Sequence, residues 1–229
     1  MRLRKGFYKG TAMKYKAAIF DMDGTILNTL DDLTNAVNDV LVRFDFPTRT
    51  RDEIREYTGG GSYMLIKMAL PKGTPKERVD EVHSYYRPYY AAHSEIKTAP
   101  YPGIFELLSE LKKHGIKLAV VSSKPDKPVQ TLSKKYFGNL FDISIGDRPG
   151  LNKKPAPDAL YLALSEIGVD KNDVVFIGDS EYDIETAKNA DLPCIAVSWG
   201  FRDRELLLSL KPDFIAGSSE ELKDFILNE

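Results

Sequence analysis

Asp21 and Asp23 follow directly on the apolar run Ala17 to Phe20, and Gly24-Thr25 comes next. In extended backbone, residues i and i+2 share a face. The spacing therefore sets two carboxylates side by side at a strand's end, with a glycine to turn the chain. Acids gathered where open α/β sheets bind ligands repel one another unless a cation or proton compensates them. The chemistry this permits is a metal-assisted nucleophile with an acid/base beside it. A solvated loop with a Gly-Thr turn is the plainer alternative.

A second acid cluster shifts the balance. The apolar run Val174 to Ile177 leads into Gly178-Asp179-Ser180-Glu181-Tyr182-Asp183, which also fits a helix start with acids near the dipole. Two such clusters on neighbouring strands form an oxygen-rich site suited to hard Mg²⁺ rather than zinc or copper. A third segment, Val120-Val121-Ser122-Ser123-Lys124, puts hydroxyls and exposed N–H groups at another strand end, where they can cap a helix or hold phosphate oxygens. A fourth, Lys153-Lys154-Pro155-Ala156-Pro157-Asp158, fixes the backbone behind a lysine; alone it would be a surface turn.

The elements that must position these groups follow a βαβ rhythm. Short apolar runs at 17–20, 116–121, 141–145, 174–177, 194–198 and 213–216 alternate with helical patterning, the signature of a parallel sheet. Helix starts are marked at Pro102-Gly103-Ile104, at Asp158 and by the capping-box spacing Ser218 to Glu221. Residues 31–98 break the rhythm. They hold helical patterns separated by Phe46-Pro47, Gly59-Gly60-Gly61 and Pro71-Lys72-Gly73, with capping boxes expected at Thr50 to Glu53 and Thr74 to Glu77. The expected organisation is a disordered extension over 1–14, a sheet core from 15–30 and 99–229, and a helical domain inserted at 31–98.

Composition narrows the partners. Thirty-two basic against 34 acidic residues give a net charge of −2, so no basic surface for nucleic acid is expected. One cysteine, Cys194, excludes an internal disulfide and a multi-cysteine zinc site, and in an apolar run it reads as an inert core thiol. No apolar run reaches the ~18 residues of a membrane span, and no export signal follows the basic N-terminus. A cytoplasmic protein, monomer or homodimer, is the expectation.

In this order the four segments resemble the haloacid dehalogenase-like (HAD) superfamily of phosphohydrolases, and within it the phosphoglycolate phosphatase-like group, over residues 15–228. Asp21 to Thr29 is similar to the first motif, Ser122 to the second, Lys154 with Pro155 and Pro157 to the third, and Asp179 with Asp183 to the fourth. Ser123 stands where the family usually has Asn. Tyr101-Pro102-Gly103 and Trp199-Gly200-Phe201 are further similar segments. The resemblance implies a Rossmann-like α/β core with a helical cap inserted after the first motif.

It also implies roles. Asp21 becomes the nucleophile that forms an aspartyl-phosphate, and Asp23 the acid/base. Mg²⁺ is held by Asp21, the Asp23 carbonyl and Asp179, with Asp183 in support. Ser122 and Lys154 bind the phosphoryl group, Gly24, Thr25 and Ser123 stand beside it, and Gly60 and Ser62 lie in the cap's specificity loop. Arg55 and Lys67 are further candidates to meet an anionic leaving group. A small phosphorylated metabolite is the implied substrate, with phosphoglycolate first and pyrophosphate, a nucleotide or a sugar phosphate as alternatives. A dehalogenase is disfavoured, because those enzymes lack an acid at the Asp23 position. A β-phosphoglucomutase-like isomerase and a non-catalytic phospho-acceptor are the rivals. Tyr85 to Tyr90 is expected to pack core and interface rather than stack on substrate, and His83, His93 and His114 are expected at the surface or in packing.

Overall fold

A computed structural model describes residues 15–227; the extension expected over 1–14 lies outside the described residues. β1 (Ala17–Phe20) runs into the short β2 (Leu27–Asn28). Four helices follow, α1 (Leu30–Arg43), α2 (Arg51–Tyr57), α3 (Gly61–Ala69) and α4 (Lys76–His93). β3 (Ala99–Pro100) then brings the chain back to pair antiparallel with β2. Beyond it helices and strands alternate: α5 (Ile104–Lys113), β4 (Lys117–Pro125), α6 (Asp126–Phe137), β5 (Ile143–Asp147), α7 (Asp158–Ile167), β6 (Val174–Gly178) and α8 (Glu181–Ala190). The chain ends in β7 (Cys194–Val197), α9 (Arg204–Ser209), β8 (Phe214–Ala216) and α10 (Ser219–Leu227).

All four residues of β1 are fully buried, as a central parallel strand covered on both faces requires. It pairs in parallel with β4 and β6, Ala17 facing Lys117 on one side and Val174 on the other. The sheet order is β5-β4-β1-β6-β7-β8, parallel throughout. Strand alternation sends Ala18, Phe20 and Val120 into one apolar layer with Ile104, Leu108 and Leu222, and Ala17, Ile19 and Phe176 into the other with Leu160 and Ala187. Each large buried side chain contributes roughly 1.5–3 kcal/mol. The chain goes one way from β1, to β4 and β5, and then the other, to β6, β7 and β8. β1 is therefore the switch point, and the crevice at its carboxyl end is where such sheets bind ligands.

The helical segment has its own apolar cluster, built on Val37, Val40, Leu41, Ile54, Ile66, Val82 and Tyr86, and Phe201 from the sheet side packs into it. The expected box at Thr50 forms: Thr50 N–H donates to Glu53 Oε2 at 2.7 Å and Glu53 N–H to Thr50 Oγ1 at 3.2 Å. The box expected at Thr74 does not form. The Thr74 hydroxyl donates to the Pro71 carbonyl at 2.7 Å within the preceding turn, and Pro75 takes the N-cap position of α4 without a capping side chain. Buried Asp32 on α1 accepts from Lys97 N, Thr98 N and Thr98 Oγ1, which ties down the strand that re-enters the core. No helix among the described residues is long and apolar enough to cross a membrane.

Candidate active site

Asp21 is set by the sheet itself: its N–H donates to the Ile177 carbonyl at 2.8 Å, extending the β1–β6 ladder by one residue. Its carboxylate accepts from Lys154 Nζ at 2.8 Å, and the same ammonium reaches Asp183 Oδ1 at 2.7 Å. The other Asp183 oxygen accepts from the N–H and Oγ of Ser180, the N-cap of α8, at 3.1 and 2.6 Å. The cap and the acid cluster anticipated at this strand end are thus one structure. Asp179 accepts from Phe201 N–H at 2.6 Å and from Thr25 Oγ1 at 3.3 Å.

Asp21, Asp179 and Asp183 are all buried, and each offers a carboxylate oxygen within 4.8 Å of the others. One ammonium against three buried carboxylates leaves an excess of negative charge. Burial pushes the Asp21 carboxyl up to about 7, with the Asp183 charge adding to the effect and Lys154 opposing it. Burial, then Asp183 and Asp21, hold Asp179 well above the carboxylate range. Burial pulls the Lys154 ammonium down, but Asp183 and Asp21 outweigh it and raise its pKa.

The backbone around Asp179 is shaped for close approach. A Cβ on Gly24 would lie 2.2 Å from its Oδ2, and one on Gly200 2.3 Å from its Cβ. An all-oxygen donor set with surplus negative charge in a fitted cradle suits a hard divalent cation. Asp21, Asp179 and Asp183 are the residues that would hold it.

Above these acids lies a cavity of about 60 Å³. Asp21, Asp23, Ser122, Ser123 and Lys154 reach it from the sheet, and Gly59, Gly61, Ser62, Tyr86 and Tyr90 from the helices. Gly24 and Thr25, expected beside the phosphoryl group, stand against Asp179, which itself lines the cavity. Gly59 and Gly61, on either side of Gly60, line the cavity, and a Cβ on Gly60 would lie 3.0 Å from the Tyr182 hydroxyl. Arg55 pairs with Asp203 and Lys67 is exposed; neither lines the cavity. Ser123 Oγ is buried without a hydrogen-bond partner.

Tyr86 and Tyr90 stack at 5.5 Å between centroids and face inward, whereas Tyr85 and Tyr89 stack on the outer side with Arg43 over Tyr85. The tyrosines therefore pack, as expected, and two of them also line the cavity. His83 bonds Ser62 Oγ at 3.0 Å. The Cys194 thiol is buried and its pKa is pushed up by that burial.

Sequence reasoning passed over Lys124, although its own rule pointed there. Ser122 and Lys124 are two residues apart in β4 and so share a face. Arg202 was missed as well. Buried, it grips Glu181 through Nε at 2.6 Å and Nη2 at 2.9 Å, and donates to the carbonyls of Arg55 and Thr58 at 3.0 and 2.8 Å. It thereby ties the end of α2 to the sheet core.

Comparison with known proteins gives this arrangement its family. The profile of the haloacid dehalogenase-like hydrolases matches residues 18–197. A phosphoglycolate phosphatase of Pseudomonas syringae pv. tomato is 33% identical over 193 residues, 81% of this chain and 70% of that protein. A crystal structure from Lactobacillus delbrueckii subsp. bulgaricus, of a protein provisionally described as a phosphoglycolate phosphatase, superposes with a TM-score of 0.90 at 38% identity, over 95% of this chain and all of that one. CbbY of Rhodobacter sphaeroides, solved with phosphate, matches with a TM-score of 0.77 at 29% identity, over 91% of this chain and 96% of that one. The chain belongs to the haloacid dehalogenase-like hydrolase family. Within it, the fold and relatives are those of phosphoglycolate phosphatase-like phosphatases.

Proposed function

We propose that the chain is a Mg²⁺-dependent phosphatase of a small phosphorylated metabolite, with phosphoglycolate the leading substrate, and that it works through an aspartyl-phosphate on Asp21. The observation that carries this reading is the buried cluster of Asp21, Asp179 and Asp183 around Lys154, open to a small cavity that Asp23 also lines.

An Asp21 oxygen attacks phosphorus as the bond to the leaving oxygen breaks, and Asp23 supplies the proton that oxygen needs. Asp23 then takes a proton from water, which attacks the phosphoaspartate and frees phosphate and the Asp21 carboxylate. Lys154 neutralises Asp21 and the phosphoryl oxygens as charge develops, and Ser122 donates to one of those oxygens. Mg²⁺, when bound, lowers the repulsion between an anionic nucleophile and an anionic ester. The helices at 30–93 act as a cap that excludes water.

Phosphate release from a panel of phosphoesters and pyrophosphate, with Mg²⁺ or EDTA, tests the proposal. Release should require Mg²⁺ and fall by on the order of 10⁴-fold or more in Asp21→Asn, with the circular dichroism of the fold retained. Undiminished release by that variant would sink the mechanism. Isomerisation of glucose 1-phosphate would move the assignment to a mutase.

A further inference from the structure

Among the described residues, the cations on the cavity wall are Lys154 and Lys124. Lys154 is committed to Asp21 and Asp183. Lys124 is different: its side chain is 1% exposed, yet its ammonium sits at the cavity between the Asp23 carboxylate, at 2.8 Å, and the Tyr90 hydroxyl. The ammonium also lies 4.5 Å from the centroid of the Tyr90 ring. A lysine is almost never buried without a charge partner, and here that partner is an acid whose proposed work requires it to face the leaving oxygen.

The opposite wall carries a second positive feature. α3 begins over the cavity with Gly61 and Ser62, has no capping side chain and holds no acid in its first turn. α2, by contrast, is closed by its capping box. The start of α3 comes down onto the end of β4, since a Cβ on Gly61 would lie 3.3 Å from the Ser123 carbonyl. Free N–H groups at a helix start attract anions. An ammonium on one wall and an open helix start on the other face the same small space.

We infer that Lys124 is the specificity-determining residue of this site, and that it pairs with an anionic group on the leaving-group end of the substrate, a carboxylate, opposite the start of α3. The inference rests on the phosphatase reading and deepens it. Without substrate, Asp23 and Tyr90 hold the ammonium in place. With substrate, the carboxylate becomes its partner, and Asp23 faces the leaving oxygen. The carboxylate follows from the phosphoglycolate reading; a second phosphoryl group shares its charge chemistry, and kinetics on a bisphosphate separate the two. Tyr90 is a positioning residue, because it acts through Lys124.

The test compares kcat and KM for phosphoglycolate and for ethyl phosphate, in which a methyl group replaces the carboxylate, with propane-1,3-diol bisphosphate as a third substrate. Wild type should prefer phosphoglycolate over ethyl phosphate by about 30-fold or more in kcat/KM, as a charge-assisted contact predicts. Lys124→Met should remove most of that preference, chiefly through KM for phosphoglycolate, while Lys124→Arg should keep it within a few-fold. Tyr90→Phe should raise KM for phosphoglycolate more than for ethyl phosphate.

Equal use of the two monoesters by wild type would overturn the inference without any variant and leave the phosphatase reading standing. Equal losses on both monoesters in a folded Lys124→Met would also overturn it, reducing Lys124 to a support for Asp23. A wild-type preference for the bisphosphate over phosphoglycolate would overturn the carboxylate assignment. Failure of wild type to hydrolyse any of the three with Mg²⁺ would instead count against the phosphatase reading itself.

Discussion

Asp179, on the sheet side of the cavity, is held by a backbone N–H, a threonine hydroxyl and two glycines that leave no room for a Cβ. Tyr90, on the helical side, is held by stacking on Tyr86 and by its contact with Lys124. The acids of the floor sit at the ends of β1 and β6 or within the first turn of α8, where a shift of one residue would turn a side chain to the wrong face. The roof is an apolar bundle that can change its lining while keeping its core. The acids of the floor are thus fixed by backbone geometry, whereas the roof presents side chains carried on helices.

Paired glycine substitutions probe this contrast most strongly. Gly24 has φ +84° and no space for a methyl against Asp179. Gly24→Ala should raise the Mg²⁺ concentration for half-maximal activity by about 100-fold, the scale of a disturbed ligand shell. Gly60→Ala on the roof meets the far end of the Tyr182 side chain and the Met64 Cβ, at 3.0 and 3.2 Å and an ordinary φ of −79°, with no contact to the acids, and should change that concentration by less than about threefold. Mg²⁺ titrations of both variants decide the matter; equal effects would erase the distinction between floor and roof.

Arg202 joins the two regions, so its removal tests whether the roof needs a fixed seat. Arg202→Met would strip donors from the Arg55 and Thr58 carbonyls and leave Glu181 unpaired. Because Glu181 is 36% exposed, water compensates part of the loss, and the stability cost should be about 1–3 kcal/mol. Activity should fall roughly tenfold in kcat/KM, mostly through KM. Urea unfolding and steady-state kinetics measure the two effects separately. A stability loss with unchanged KM would show that the roof closes without this tie.

The same contrast governs what could be read in advance. The six strands of the sheet follow from short, mostly apolar runs, Asp21, Ser122 and Asp179 follow from their places at strand ends, and Lys154, alone a surface turn, follows only from the family resemblance. Period-two logic also contained Lys124, but a lysine after two serines looks like a solvated loop until burial is seen. Arg202 carried no local signal. Its partners are carbonyls of residues near 55–58, a contact that exists only once the inserted helices dock. Thr74 shows the limit of capping patterns: the spacing to Glu77 was right, but the Pro71 carbonyl competed for the hydroxyl.

The pH dependence of metal binding provides the finest comparison, because it concerns the floor alone. Burial raises the Asp21 pKa to about 7 and holds Asp179 well above the usual carboxylate value. In the folded metal-free protein these two acids therefore hold more protons than in the unfolded chain between about pH 4 and pH 7. Their contribution to stability falls as pH rises through that window, the reverse of a salt-bridged acid. Mg²⁺ competes with those protons, so saturating Mg²⁺ should raise Tm on the order of 5 °C at pH 8 and by little at pH 5. Thermal melts with Mg²⁺ or EDTA at the two pH values give the answer. Asp179→Asn, which leaves one acid fewer to titrate, should flatten the difference, whereas Gly60→Ala should leave it as in wild type. An equal Mg²⁺ increment at both pH values would mean that the cation is held away from these acids.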